Sequence, residues 1–283
     1  MAILKCASRN LDLSTTQVMG ILNVTPDSFS DGGSLFVKEQ LSTDALLSAA
    51  TEMVEQGASI LDIGGESTRP NAQLVTEQQE MDRVLPALEL LVKNLDVVVS
   101  IDSSNAALMT EAAKLGAGML NDVRALERQG ALAAAAATGL PVCLMHMQGT
   151  PQTMQQAPAY QSVKAEVMEY LSARAQLCEQ AGIEAEKIIL DPGFGFGKTL
   201  EQNLQLLQHT PAFVASGYPV LIGTSRKSMF GQLLARDVGD RLAAGLASVA
   251  YAVMHGAAIV RVHDVKETVD VVRVIEAVKG QGE

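Results

Sequence analysis

Cysteine is scarce and unpatterned in this 283-residue chain: Cys6, Cys143 and Cys178 are odd in number and far apart, with no CxxC pair and no HExxH segment. A disulfide framework and a structural zinc site are therefore both disfavoured. Positive charge is short as well. Lys and Arg total 21 against 32 Asp and Glu, a formal net charge of −11. A field of that sign repels polyphosphate chains and anionic membranes, so neither a nucleic-acid partner nor a membrane surface is expected. A small anion could still be held by a local basic cluster, because salt screens exposed charges beyond about 8 Å. The opening residues, Met1-Ala-Ile-Leu-Lys-Cys6, contain no long apolar run of the secretory kind, and a cytoplasmic location is expected. Leu242 to Val260 lacks Asp, Glu, Lys and Arg, but it is Ala-rich and broken by His255-Gly256. It reads as a core helix turning into a strand rather than a membrane span.

What the chain does have is apolar residues, 48% against 19% charged, enough for a large core. They recur in a fixed rhythm. Short β-branched runs at Val18–Val24, Ser59–Ile63, Val97–Ile101, Gly118–Leu120, Val142–Met145, Lys187–Leu190, Pro219–Ile222 and Ala258–Val262 alternate with stretches of helical spacing. Those stretches lie near 43–56, 77–93, 105–115, 130–138, 160–181, 200–208, 240–255 and 266–278, with a short extra helix at 227–235. Near-continuous apolar strands separated by helices indicate a parallel sheet buried on both faces. An open doubly wound sheet would satisfy that pattern, but eight units in about 265 residues match the α/β (β/α)8 TIM barrel. No linker or low-complexity tract divides the chain, so one domain over 1–283 is expected, with residues 1–16 as an N-terminal β-hairpin and 17–279 as the barrel.

Polar residues gather where the strands end. The first strand runs into Asn23-Val-Thr-Pro-Asp-Ser28, the second into Asp62-Ile-Gly-Gly-Glu66, and the third into Asp102-Ser103. The later ones reach Asn121-Asp122, Met145-His146, Asp191-Pro192, Ser225-Arg-Lys-Ser228 and Arg261-Val-His-Asp264. In a barrel all these ends form one rim, where such folds keep their chemistry. Helix capping accounts for Ser103, Asp122 and Asp264. It does not account for Asp102, Lys227, Arg261 or His263. Buried Asp102, Asn121 and Asp191 call for matching donors, such as a planar heterocycle presenting several N–H groups. Carboxylates could instead hold Mg2+, though Lys227 and Arg261 share the rim and oppose a bare cation. Arg261 and His263 point to one face of their strand and, with Arg69, Arg226 and Lys227, form a positive patch suited to phosphate or diphosphate. His146, on an apolar strand, reads as a satisfied core histidine. Gly193-Phe-Gly-Phe-Gly197-Lys198 fails the P-loop pattern, since Pro192 stands where its first glycine belongs. It reads as a tight loop that lets Asp191 face a ligand.

Taken together, Gly20-Ile-Leu-Asn-Val-Thr-Pro-Asp-Ser-Phe-Ser-Asp-Gly-Gly33, Asp62-Ile-Gly-Gly-Glu-Ser-Thr-Arg-Pro70, Leu190-Asp-Pro-Gly-Phe-Gly-Phe-Gly-Lys198, Ser225-Arg-Lys-Ser228 and Arg261-Val-His-Asp264 resemble the dihydropteroate synthase family. That resemblance implies a transferase of folate biosynthesis. Such an enzyme condenses 6-hydroxymethyl-7,8-dihydropterin diphosphate with p-aminobenzoate, by SN1-like loss of diphosphate and then attack of the arylamine. It implies a pterin pocket of Asp102, Asn121, Met145, Asp191, Lys227 and Arg261. It also implies a p-aminobenzoate side of Phe29, Thr68, Arg69, Pro70 and Ser225, and a diphosphate site of Asn23, Thr68, Arg69, Arg261 and His263. Asp102, Lys227, Arg261 and His263 would carry the catalysis, with Asn23 the protein ligand of Mg2+ and a homodimer the assembly. No insertion follows Thr68 of the kind that would exclude sulfonamides. A pterin-binding barrel without this activity would keep Asp102, Asn121 and Asp191 but have no use for Lys227, Arg261 and His263 together.

Overall fold

The computed structural model describes residues 3–25, 36–37, 40–67, 75–149, 154 and 158–280. An antiparallel hairpin, β1 (Ile3–Cys6) and β2 (Arg9–Asp12), precedes the barrel. The barrel strands are β3 (Gln17–Asn23), β6 (Ile60–Gly64), β7 (Val98–Asp102), β8 (Met119–Asp122), β9 (Val142–Met145), β10 (Ile188–Asp191), β11 (Leu221–Ile222) and β12 (Ile259–Val262). A two-residue pair, β4 (Phe36–Val37) and β5 (Gln40–Leu41), lies between β3 and the first helix. The helices that follow are α1 (Thr43–Glu55), α2 (Glu77–Asn94), α3 (Ala106–Lys114), α4 (Ala131–Thr138), α5 (Val163–Gln180), α6 (Leu200–Gln208), α7 (Thr210–Val214), α8 (Ser228–Leu234), α9 (Leu242–Met254) and α10 (Val265–Lys279).

The sheet order β10-β9-β8-β7-β6-β3-β12-β11 is parallel throughout, and the bridge from Leu190 to Val220 brings its two edges together. This is the (β/α)8 barrel that the alternation predicts. The strand of the seventh unit is shorter than its apolar run, and α7 lies between the helical stretches that the spacing predicts. Its start at Thr210-Pro211 fits a proline's preset φ in a helix's first turn. Among the described residues no helix is long and apolar enough to cross a membrane, and the uncharged stretch from Leu242 is α9 followed by β12.

Strand periodicity divides the core in two. Outward side chains such as Leu61, Ile63, Val99, Ile101 and Leu120 pack under the helices. Inward ones form a separate cluster with one residue from each strand: Met19, Ile60, Val98, Met119, Cys143, Ile189, Leu221 and Ile259. Leu4, Cys6 and Leu11 of the hairpin join this inner cluster, and a Cβ on Gly118, just before β8, would touch Cys6. The hairpin thus plugs the amino-terminal mouth with apolar side chains, each of which contributes roughly 1.5–3 kcal/mol by leaving water. The opposite mouth remains for polar groups.

Several expected caps serve other ends. Asn105 caps α3, while Ser103 Oγ accepts from the Asn105 amide. Asp122 binds Ser104 and the amides of Arg124 and Leu126, fixing a turn well before α4. Asp264 stands at the start of α10 but pairs with Arg226 at 2.6 Å.

Candidate active site

Each strand that contributes an apolar residue to the inner cluster places its next inward residue about two positions, or roughly 7 Å, closer to the carboxyl rim. Ile60 is followed by Asp62, Met119 by Asn121, Ile189 by Asp191 and Ile259 by Arg261, while Val98 is followed by Ser100 and then Asp102. A polar layer therefore sits directly on the apolar one. Asp102 and Asn121 are Cα partners across β7 and β8, and Asp191 is the partner of Met145 on β9 and β10.

Arg261 organises one half of this layer. Its Nε donates to Asp62 Oδ2 at 2.6 Å and its Nη2 to Asp102 Oδ2 at 2.9 Å. Asn121 Nδ2 also donates to Asp62 Oδ2, at 3.0 Å. Burial opposes the guanidinium charge, but the two carboxylates outweigh it and hold Arg261 above its ordinary range. Asp102 moves the other way. Burial raises its carboxyl well above the usual range, Arg261 opposes the rise, and the Asp62 charge adds to it. Asp62 is fully buried, and the sequence reading assigns it no role. The signal was available, since it shares the inward parity of Ile60. One of its oxygens, Oδ1, has no protein partner.

The other half lies on β10 and the loop after β11. Asp191 Oδ1 accepts from the Gly193 amide at 2.8 Å, and burial raises this carboxyl too. Lys227, just before α8, holds its Nζ 4.2 Å from the centre of the Phe196 ring, a cation–π distance. Burial, assisted by the Arg261 charge, lowers the Lys227 ammonium to about 8. Gly193, Gly195 and Gly197 all adopt positive φ, so the 193–197 segment is the tight turn that the glycine spacing implies.

His263 Nδ1 lies 3.1 Å from Ser225 Oγ, and its backbone amide donates to the same oxygen. Burial, together with Arg261 and Arg226, pushes the imidazole down to about 3. It is a neutral hydrogen-bonding group. With Arg226 paired to Asp264 and Arg261 to two carboxylates, the patch is less positive than its residue count implies. Asn23 is half-buried at the rim end of β3, where its Cα partner Gly64 in turn pairs with Asp102. Met145 is buried beside Asp191. Phe29, Thr68, Arg69 and Pro70 lie outside the described residues. His146 is a buried core histidine, in edge contact with Tyr170.

One mouth of the barrel thus brings together three carboxylates, an amide, a half-buried ammonium and a doubly paired guanidinium. Such a floor can grip the N–H edge of a flat heterocycle with its acids and the acceptor edge with Lys227.

The pterin binding enzyme family matches residues 19–263 of this chain. Over 271 residues the chain is 52% identical to the dihydropteroate synthase of Escherichia coli strain K12, covering 95% of this chain and 93% of that protein. The crystal structure of Yersinia pestis dihydropteroate synthase with a sulfonamide drug is similar at a TM-score of 0.94 and 49% identity, covering 98% and 99% of the two chains. That of the Xanthomonas albilineans synthase with 4-aminobenzoic acid is similar at 0.91 and 44%, covering both chains in full.

Proposed function

From the chain's membership of the dihydropteroate synthase family of pterin-binding enzymes, we propose how its own residues carry out the family's transferase reaction. The reaction joins 6-hydroxymethyl-7,8-dihydropterin diphosphate to p-aminobenzoate, giving 7,8-dihydropteroate and diphosphate. The observation that carries the assignment of roles is the network in which Arg261 is held by Asp62 and Asp102 beside Asn121.

Asp102, Asn121 and Asp191 take the hydrogen-bonding edge of the pterin, Lys227 donates to its ring acceptors, and Met145 packs against it. Arg261, pinned by two acids, presents a fixed cationic plane for the ring to stack on. The bond between the 6-methylene carbon and the diphosphate oxygen breaks with both electrons leaving on diphosphate. The electron-rich ring spreads the resulting positive charge, and ionised Asp102 stabilises it. The arylamine nitrogen of p-aminobenzoate then attacks the methylene carbon and gives up a proton. Fixed charges of this kind are worth roughly 10²–10³ in rate each. Neutral His263, held by Ser225, hydrogen-bonds the departing diphosphate without needing to titrate. Asn23, Thr68 and Arg69 complete that end, while Phe29, Pro70 and Ser225, with Thr68 and Arg69, receive p-aminobenzoate.

The residues present fit a Mg2+ ion brought in with the diphosphate. Asn23 offers an amide oxygen at the rim, and no group of three or more His, Cys, Asp or Glu side chains among the described residues forms a dedicated cage. Mg2+ commonly uses one or two protein oxygens and takes the rest from phosphate and water. When bound, it supplies charge neutralisation to the leaving diphosphate.

The assembly we propose is a homodimer, supported by the surface of α9. This helix carries no charged residue, yet Leu242, Ala243, Ala247 and Met254 are exposed along it. Leu233, Leu234 and Val238 lie exposed just before it in the chain, and Val274 and Val278 on α10. A helix without charge facing water is unusual unless another surface covers it. Sedimentation of the purified chain as a monomer at micromolar concentration would exclude this arrangement. A cytoplasmic setting suits three buried, unbridged cysteines.

Diphosphate release from pterin diphosphate, measured with and without p-aminobenzoate and Mg2+, tests the reaction. Release that depends on both is expected. None from folded protein would end the reading.

A further inference from the structure

The 193–197 loop carries two contacts of the proposed pterin pocket, and one side chain outside the pocket joins it to the neighbouring strand end. Lys198 is buried, at 3% exposure. Its Nζ donates to Gly193 O at 2.8 Å and to Phe196 O at 3.0 Å, within the loop. It also lies 3.0 Å from His146 Nδ1 and 3.3 Å from His146 O, just after β9. His146 is pushed down to about 3 by burial and by the Lys198 charge, so its ring is neutral and Nδ1 is free to accept. Three carbonyls and one ring nitrogen surround the three donors of an ammonium, so the longer contact to His146 O shares a donor.

We propose that Lys198 is a positioning residue for the condensation: it clamps the loop after β10 to the end of β9, and so fixes Phe196 beside Lys227 and the Gly193 amide on Asp191. The fit is close on both sides of the clamp. A Cβ on Gly193 would come within 1.8 Å of His146 O, and one on Gly197 within 2.5 Å of Gln148 O. On the pocket side, a Cβ on Gly195 would meet Lys227 Cδ at 3.1 Å. Asn203 and Tyr160 also hold this segment, through the Gly195 amide at 2.7 Å and Gly197 O at 2.9 Å. Lys198 adds a side-chain link from the loop to the end of β9, alongside the backbone bond from His146 N to Asp191 O at 3.0 Å.

Burial lowers Lys198 to about 7, with the Lys227 charge pushing the same way and Asp191 opposing. The loop carbonyls and the His146 ring accept hydrogen bonds from its Nζ. Phe196 and Gly193 report to different pocket residues, so a slack loop would disturb a donor and an acceptor together.

This rests on the synthase reading, and wild-type turnover is the control that separates the two: an inactive wild type indicts that reading, not the clamp. In Lys198→Met, kcat/KM for pterin diphosphate is expected to fall by something like 10- to 100-fold, the scale of a misplaced site. The fall should appear mainly in KM for pterin diphosphate. A cycle with Phe196→Leu reports whether the two act through one element. The double variant should lose little more than the worse single one, whereas fully additive losses overturn the proposal. Unchanged kcat/KM in folded Lys198→Met overturns it as well. If that variant does not fold, hydrogen exchange on the ligand-free wild type decides. The Gly193, Gly195 and Phe196 amides should be protected, and rapid exchange at all three would show a loop that nothing clamps.

Discussion

Asp62 Oδ2 lies 2.6 Å from Arg261 Nε, joining a fully buried carboxylate to a guanidinium 199 positions later in the chain. The same oxygen accepts from Asn121, and the same guanidinium reaches Asp102. One carboxylate thereby orients the Asn121 amide and the Arg261 guanidinium together.

Removing Asp62 strands that cation beside Asp102 alone. Breaking one partner of a buried pair costs about 3–5 kcal/mol, so Asp62→Ala should lower stability on that scale in urea unfolding. Asp62→Asn keeps the shape and should fold while losing pterin affinity. Wild-type stability in the alanine variant would show that Arg261 is not dependent on it.

Asp102→Asn and Lys227→Ala should each lose roughly 10²–10³ in kcat while giving cooperative unfolding curves. Turnover near the wild-type rate in either variant would mean its role is misassigned.

The pH profile of kcat/KM for pterin diphosphate reads the free enzyme. Lys227 is lowered to about 8, and a lysine loses its charge as pH rises through its own value. Activity that needs the ammonium is therefore full below that point and declines above it. Asp102 is raised, and a carboxyl gains its charge as pH rises, so the acid limb should stand well above the usual carboxylate range. A profile flat from pH 5 to 10 would contradict both assignments.

Gly193 has φ +72°, and a Cβ there would meet His146 O at 1.8 Å. Gly193→Ala should cost at least about 1–3 kcal/mol from backbone strain, with the clash added. A thermal midpoint within a degree of wild type would show that the loop can relax away.

Sulfonamides should inhibit in competition with p-aminobenzoate, since no insertion follows Thr68. Sustained turnover at sulfonamide levels that saturate the enzyme's relatives would refute this.

Local pattern carried the architecture. The inward–outward alternation of Ile60-Leu61-Asp62-Ile63 and its counterparts is a property of neighbouring residues, and every barrel strand lies within the apolar runs read from it or a residue or two beyond them. The placement of Asp102, Asn121, Asp191 and Arg261 on one rim followed from the same alternation and parallel strands. The five residues of α7 offer too little periodicity to mark a helix.

Pairing is another matter. That Arg261 answers two acids, that Asp264 is taken by Arg226 and that Lys198 binds His146 could not be read from spacing. Residue types and their period along the chain set which side chains face inward, because that depends on backbone geometry over a few residues. Which charge neutralises which, and hence which groups titrate near neutrality, depends on distances of a few ångströms between strands far apart in sequence. Those distances exist only once the barrel has closed.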